Sequence, residues 1–406
     1  MNTTTASPSF AIPLGAPPAA RHVLQLLRRL AHGSLTLQLP DGSSQRFGHD
    51  QAPHATLVLR NWNVFARALR SGDIGFAEGY FAGDWTSPNL AELLKLLIAN
   101  RNLIDDVVYG SWAGRLLYRL RHFLNRNTRS NSQKNIHAHY DLGNAFYQLW
   151  LDETMNYSSA SFDGDRGAPM IPAQHAKVRR ALQMAGVAPG DRMLELGCGW
   201  GALVEMGVHE FGATVTGVTL STEQLGFAQE RLARQGNAQR VDLRLQDYRD
   251  IKDEPFDAIC SIEMVEAVGR EYWPQYFQTV HRLLKPGGRA CIQSIVIDDA
   301  LWNRYIDSTD FIQQYIFPGG CLPSPSEFRR AAHTAGFDVV DEFAFGADYA
   351  ETLRRWRGRF LESRSQVLQL GFDERFIRIW EFYLAYCEAA FDQGNTDVVQ
   401  YTLVKR

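Results

Sequence analysis

The 406-residue sequence contains no uncharged apolar window near the ~20 residues that a bilayer-spanning helix needs, which excludes a helical membrane span. Its first twenty residues, rich in Pro, Ala, Ser and Thr, lack a basic start followed by an apolar run. Residues 1–20 therefore read as a flexible tail and not as a secretory signal. Cysteine is sparse: five, at 198, 260, 291, 321 and 387, odd in number and without metal spacing. That excludes a disulfide framework and gives no metal site. Three of them fall in or beside predicted strands, where a small buried thiol suffices, and a reducing cytoplasm fits. Charge of one sign is missing as well. A net charge of −3 excludes a globally basic nucleic-acid binder.

What is present is apolar material for full cores, 45% of residues, on a chain long enough for two domains. Residues 22–31 repeat apolar positions at helical spacing, and Ser34-Leu-Thr-Leu-Gln-Leu39 alternates as a strand before the turn Pro40-Asp-Gly-Ser. Residues 60–100 read as helical, broken at Gly79-Tyr-Phe-Ala-Gly-Asp84. These elements make a small mixed α+β domain, 21–105, followed by a linker, 106–134. Within the linker, 111–134 carries Arg115, Arg119, Arg121, Arg126, Arg129 and Lys134, interleaved with leucines and free of acidic residues. Such a segment suits an anionic membrane surface; a solvated linker helix packed on its own protein is the alternative.

From residue 175 helix and strand patterns alternate, which predicts a doubly wound α/β sheet. The strand candidates are 192–196, 214–218, 241–245, 257–262, 288–295, 337–343 and 398–404, with helices at 222–235, 272–284 and 373–391. An insertion at 298–330, rich in aromatics (Trp302, Tyr305, Phe311, Tyr315, Phe317), is too long for a simple connection and is expected to cover the active site.

The most informative stretch is Met193-Leu-Glu-Leu-Gly-Cys-Gly-Trp-Gly201, an apolar strand ending in three alternate glycines before a helical pattern. Glycine is wanted where a strand turns into a helix and a ligand approaches bare backbone. The spacing differs from the dinucleotide fingerprint, and no basic residue follows to hold phosphates. It resembles the loop of S-adenosylmethionine (SAM)-dependent methyltransferases. Ligands of open parallel sheets sit at the strand carboxyl ends, and each end here carries polar groups. Gly197, Gly199 and Gly201 follow strand one, and Thr219, Ser221 and Gln224 follow strand two. Gln246, Asp247 and Tyr248 follow strand three, and Ile262-Glu-Met-Val-Glu266 follows strand four. Glu223 reads as an ordinary first-turn acid.

Seven ordered motifs resemble the cyclopropane fatty acid synthases. They are His139-Tyr-Asp-Leu-Gly-Asn144, Met155-Asn-Tyr-Ser-Ser-Ala160, Glu195-Leu-Gly-Cys-Gly-Trp-Gly201, Gly217-Val-Thr-Leu-Ser221, Gln246-Asp-Tyr-Arg-Asp250, Tyr315-Ile-Phe-Pro-Gly-Gly-Cys-Leu-Pro323 and Phe345-Gly-Ala-Asp-Tyr349. The resemblance covers roughly 135–406 and implies a seven-stranded, Rossmann-like class I methyltransferase domain there. It implies that Tyr140, Tyr157 and Ser158 hold the methionine end of SAM, that Glu195, Gly197, Gly199 and Gly201 line it, that Thr219 and Gln224 take the ribose, and that Gln246, Asp247 and Tyr248 take the adenine. It further implies a bicarbonate ion as base, held by Ser159, Glu266, Gln293, Tyr349 and backbone near Ile295. Three positions depart from the family: its cysteine is Ser159, its histidine is Gln293, and the histidine after its glutamate is Ala267.

The activity so implied is addition of the SAM methyl carbon to the double bond of an unsaturated phospholipid acyl chain, giving a cyclopropane. The departures leave open a methyl-branched or methylene product. A small-molecule methyltransferase and a non-catalytic lipid-binding protein are the remaining alternatives. No nucleic acid or metal is expected, a homodimer is left open, and the expected setting is cytoplasmic and peripherally membrane-associated.

Overall fold

The computed structural model describes residues 12–13, 15–103, 142–234, 236 and 238–406. The basic segment 111–134 and Tyr140 lie outside the described residues. The chain divides into two compact units, Met1–Leu117 and Tyr118–Arg406.

The first unit holds a four-stranded sheet in the order β2-β1-β3-β4, from Ser34–Gln38 (β1), Ser44–Gly48 (β2), His54–Leu59 (β3) and Trp85–Thr86 (β4). The expected strand at 34–39 is β1; β2 and β3 were not anticipated. Leu35 and Leu37 of β1 and Leu57 and Leu59 of β3 are buried, the period-two signature of one covered face. The helical segment Asn63–Ala82 is kinked at Gly72, where φ is 62°, and stops at Gly83, whose left-handed φ of 76° closes it. The stop falls inside the expected break at Gly79–Asp84.

The second unit carries seven strands: Arg192–Leu196 (β5), Thr214–Thr219 (β6), Val241–Leu245 (β7), Phe256–Ile262 (β8), Leu284–Ile297 (β9), Phe337–Ala344 (β10) and Thr396–Lys405 (β11). All seven fall on the expected segments, in the order β10-β11-β9-β8-β5-β6-β7. Side chains alternate between two cores: Leu194, Leu196 and Ile259 pack with Tyr276 and Phe277, whereas Met193, Ala258 and Cys260 pack with Leu182, Val204 and Val208. A sheet buried on both faces needs this near-continuous apolar character.

One strand breaks the parallel pattern. β11 runs antiparallel to both β9 and β10. Three helices, Gly346–Glu362, Arg364–Gln369 and Glu374–Asp392, separate β10 from β11, and the chain re-enters the sheet where β10 left it. Phe345 N donates to Val398 O at 2.9 Å, and Gly346 N to Asp397 Oδ1 at 2.7 Å. β5 is flanked by β6 on one side and β8 on the other, so strand order reverses there and opens a crevice at the carboxyl ends.

Candidate active site

The crevice holds a cavity of about 150 Å³ whose lining includes Tyr157, Ser158, Glu195, Gly197, Gly199, Thr219, Gln224, Gln246, Tyr248 and Glu263. Nine of these ten were expected site residues. Glu263 was not.

Local chemistry builds the wall around β5–β7. Gly197 turns at φ 78°, and a Cβ there would meet the Met264 side chain at 3.4 Å. Gly201 does not line the cavity; it N-caps the helix Ala202–His209 at φ 84°, with Ala228 3.0 Å from where a Cβ would sit. It serves helix packing. At the end of β6, Thr219 Oγ1 donates to Gln224 Oε1 at 3.0 Å, and Ser221 caps the following helix through Gln224 N at 3.3 Å. Glu223 sits in that first turn, exposed, as a dipole-compensating acid should. Tyr248 is buried at the cavity wall, while Asp247 turns away: its carboxylate pairs with Arg249 at 2.5 Å and accepts Arg249 N at 2.9 Å.

Glu195 is 3% exposed and its Oε2 has no hydrogen-bond partner. Burial pushes its carboxyl up to about 8, against the pull of Lys177. A buried acceptor left unpaired at a cavity wall is a place for a ligand's donor. This orphan oxygen, with the bare backbone of Gly197 and Gly199, fits the amino-acid end of a bound SAM.

The opposite wall is built from residues far apart in sequence. Glu263 is the first residue after β8 and adopts φ 50°, a left-handed conformation that costs a non-glycine residue on the order of 1 kcal/mol. Its Oε1 accepts Ser159 N at 3.0 Å and Gln293 Nε2 at 2.7 Å, and its Oε2 accepts the Tyr349 hydroxyl at 2.6 Å. A chain of amides fixes the orientation of Gln293. Arg180 Nη1 donates to Gln400 Oε1 at 2.9 Å, and Gln400 Nε2 donates to Gln293 Oε1 at 3.0 Å. The Gln293 NH2 is thereby aimed at Glu263. Burial raises the Glu263 carboxyl above its ordinary range, opposed by the bonds from Tyr349 and Ser159 and by the charge of Lys177.

Lys177 is a second group the sequence reading missed. It is 1% exposed, donates to Ser158 Oγ at 2.5 Å and Asn156 Oδ1 at 3.2 Å, and burial lowers its ammonium to about 8. It lies on the helix Met170–Met184, where an isolated basic residue looks like any solvated position.

Glu266 occupies a different position. Its Oε1 accepts Ile295 N, its Oε2 is buried without a partner, and burial with the neighbouring Glu263 charge pushes its carboxyl up to about 8. The residues expected to share one anion thus divide between two carboxylates: Ser159, Gln293 and Tyr349 around Glu263, Ile295 on Glu266. The Ser159 hydroxyl turns to Ala160 O at 2.8 Å. An external bicarbonate does not fit this arrangement, because Gln293 and Tyr349 are already bonded to Glu263, the Ser159 hydroxyl to Ala160 O and Ile295 N to Glu266, and two carboxylates flank the position.

Aromatic rings pack behind Tyr157, which lines the cavity. The Tyr157 hydroxyl shares a 2.7 Å hydrogen bond with Tyr383, and its ring lies 5.4 Å from Trp150 and 5.6 Å from Trp356. Trp356 is in turn 6.1 Å from Tyr349. Of the insertion aromatics, Trp302 and Phe311 are buried against Trp273 and Phe382. The insertion touches the site through Cys321 N, which donates to Glu266 O at 2.8 Å, and through Phe317, 6.2 Å from Tyr383. Among the described residues there is no His/Cys/Asp/Glu group able to hold a metal and no helix long and apolar enough to cross a membrane.

The comparisons with known proteins agree with this geometry. Residues 127–401 match the family model described as mycolic acid cyclopropane synthetase. The chain is 39% identical over 404 residues to the tuberculostearic acid methyltransferase of Mycobacterium tuberculosis, covering 97% of this chain and 93% of that one. It is 33% identical over 338 residues to the cyclopropane-fatty-acyl-phospholipid synthase of Escherichia coli, 83% and 84% of the two chains. A crystal structure of a mycolic acid cyclopropane synthase complexed with SAH and CTAB superposes with a TM-score of 0.63 at 33% identity, covering 67% of this chain and 98% of that one. The chain belongs to the mycolic acid cyclopropane synthetase family and is a SAM-dependent methyltransferase of the class I fold.

Proposed function

We propose that this enzyme adds the SAM methyl carbon to the double bond of an unsaturated acyl chain carried by a membrane phospholipid. The observation that carries the reading is the pairing, on one cavity, of the glycine turn after β5 and Glu195 with the Glu263 carboxylate and the Tyr157 ring. The similarity to synthases and methyltransferases named for acyl-chain products supports it.

When bound, SAM supplies a methyl group made electrophilic by a cationic sulfur. Glu195, Gly197 and Gly199 would hold its amino-acid end with Tyr157 and Ser158. Thr219 and Gln224 would take the ribose, and Gln246 and Tyr248 the adenine. An isolated alkene is a weak nucleophile, so the protein's part is to align it and exclude water, a contribution of up to about 7–11 kcal/mol for ideal geometry. Once the alkene has captured a methyl, the acyl chain carries a cation. The face of Tyr157, which lines the cavity, can stabilise such a charge by roughly 0.5–2 kcal/mol.

Loss of a proton from the new methyl closes a cyclopropane, the product first expected. Loss from a neighbouring chain carbon gives a methyl-branched alkene, and loss from the methyl after a 1,2-hydride shift gives a methylene branch. The second reading gains from one observation: the donors expected around bicarbonate are bonded to Glu263 instead. Purified enzyme incubated with methyl-labelled SAM and unsaturated phospholipid vesicles should add the mass of one CH2 per modified chain, and NMR of the product separates ring from branch. Unaltered lipid with labelled small molecules would overturn the reading. The first unit and the basic segment 111–134 are proposed to dock the enzyme on anionic membranes. Co-sedimentation with anionic vesicles that weakens with salt is the expected result, and no binding at low salt would refute it.

A further inference from the structure

We propose that Glu263 is this enzyme's own proton acceptor, its carboxylate standing where an external bicarbonate would have to bind, so that turnover requires no bicarbonate. The inference rests on the acyl-chain reading above, and its test is built so that the two can fail separately.

Three observations carry it. The first is the donor set. Ser159 N, Gln293 Nε2 and Tyr349 OH converge on one side-chain carboxylate at 3.0, 2.7 and 2.6 Å. Two of these donors come from positions where this chain departs from, or keeps, the anion-holding residues its resemblance implies: Gln293 and Tyr349. The third is a backbone amide, which no side-chain change at residue 159 removes.

The second observation is the backbone. Position 263 sits at φ 50°, where glycine is comfortable and glutamate is not, yet a glutamate is there and lines the cavity. The third is the wiring behind it. Arg180, Gln400 and Gln293 form a directed relay that leaves Gln293 only its NH2 to offer, and Glu263 N donates to Gln293 O at 2.8 Å. The charged and titratable groups around Glu263 are Lys177, Glu266, Tyr349, Tyr157 and Glu195. Lys177 offsets its negative charge, and burial keeps Glu266 largely protonated near neutral pH.

The step balances without oxidant or reductant. The alkene π pair forms the new carbon–carbon bond as the methyl–sulfur bond breaks, leaving S-adenosylhomocysteine and a cation on the neighbouring chain carbon. A carbon–hydrogen pair then closes either the ring or a new double bond. Its proton passes to Oε2 of Glu263, which accepts only the Tyr349 bond and keeps a second lone pair, whereas Oε1 already accepts two donors. Glu263 ends as a neutral acid and returns the proton to solvent when product leaves.

The test compares wild type, Glu263→Gln and Glu263→Gly on unsaturated phosphatidylglycerol vesicles with methyl-labelled SAM, in carbonate-free buffer and with bicarbonate added. Binding of 13C-bicarbonate is followed in parallel by NMR line broadening, without lipid. Wild type should turn over equally in both buffers and leave the 13C line sharp. Glu263→Gln should lose about 10²–10⁴ in turnover. Glu263→Gly, relieved at its backbone and folded by circular dichroism, should broaden the 13C line and recover roughly tenfold or more when bicarbonate is added. Wild type that broadens the line, or stalls without bicarbonate, overturns the proposal, as does full turnover by Glu263→Gln. Should wild type label no lipid in either buffer, the acyl-chain reading fails. The 13C arm then still decides whether Glu263 fills the anion position.

Discussion

The two walls of the crevice are made in opposite ways. The SAM wall uses short-range parts: a glycine turn after β5, a Thr219–Gln224 pair five residues apart, and a tyrosine after β7. The carboxylate wall joins Ser159, Lys177, Arg180, Glu263, Gln293, Tyr349 and Gln400, separated by up to 241 positions, through buried hydrogen bonds. Binding by backbone and binding by a wired network fail differently. A glycine wall tolerates side-chain changes but not a Cβ, whereas a buried network loses whichever partner is left unpaired.

That contrast can be broken most strongly at Gln400. Gln400→Leu leaves Gln293 and Arg180 short of buried partners and should cost about 1–3 kcal/mol of stability, with turnover falling further than SAM affinity in paired calorimetry and rate measurements. Gly197→Ala attacks the other wall. A Cβ at φ 78° and 3.4 Å from Met264 should weaken SAM binding by roughly tenfold, from about 1–2 kcal/mol of backbone strain, with little change in melting temperature beyond that strain.

A pH series separates the walls next. Glu195 and Glu266 have folded-state values raised to about 8, so the folded protein holds protons that the unfolded chain releases. The stability they contribute is present below about pH 4.3, the unfolded value, and is lost as pH rises through about 8. Lys177, lowered to about 8, acts in reverse and returns stability above that point. The melting temperature should fall between pH 5 and 8, and Glu195→Gln should flatten the fall; an unchanged slope would contradict the assignment. Tyr349→Phe removes a bond that holds Glu263 ionised. The acid limb of turnover should move to higher pH with SAM affinity unchanged. Smallest of all, Arg179→Ala breaks an exposed pair with Glu210 and should cost under about 1 kcal/mol, with no effect on either wall.

The same contrast explains what could be read from the chain. Period-two and helical spacing located all seven strands of the large sheet, and nine of the expected site residues line the cavity. Local pattern missed β2 and β3: Ser44–Gly48 is largely exposed, and His54–Leu59 gains its meaning only by pairing parallel to β1. The reversed direction of β11 was hidden too, because it depends on where the three intervening helices return the chain.

At the carboxylate wall, the resemblance named Glu266, and Glu263 stands in the same strand-end stretch Ile262–Glu266. The strand-end rule by itself points to Glu263, the first residue past β8. Asp247 and Gly201 sat in the right motifs, but one is paired with Arg249 and the other packs against Ala228. Spacing says which strand end a residue occupies, not which way its side chain turns.

The central claim is that binding and proton removal belong to separate walls of one crevice. Calorimetric titration of S-adenosylhomocysteine into wild type and Glu263→Gln, beside single-turnover methyl transfer by both, tests it most directly. The account predicts affinities within about threefold and a loss of at least about a hundredfold in product formation. Parallel loss of both quantities, or retention of both, would contradict it.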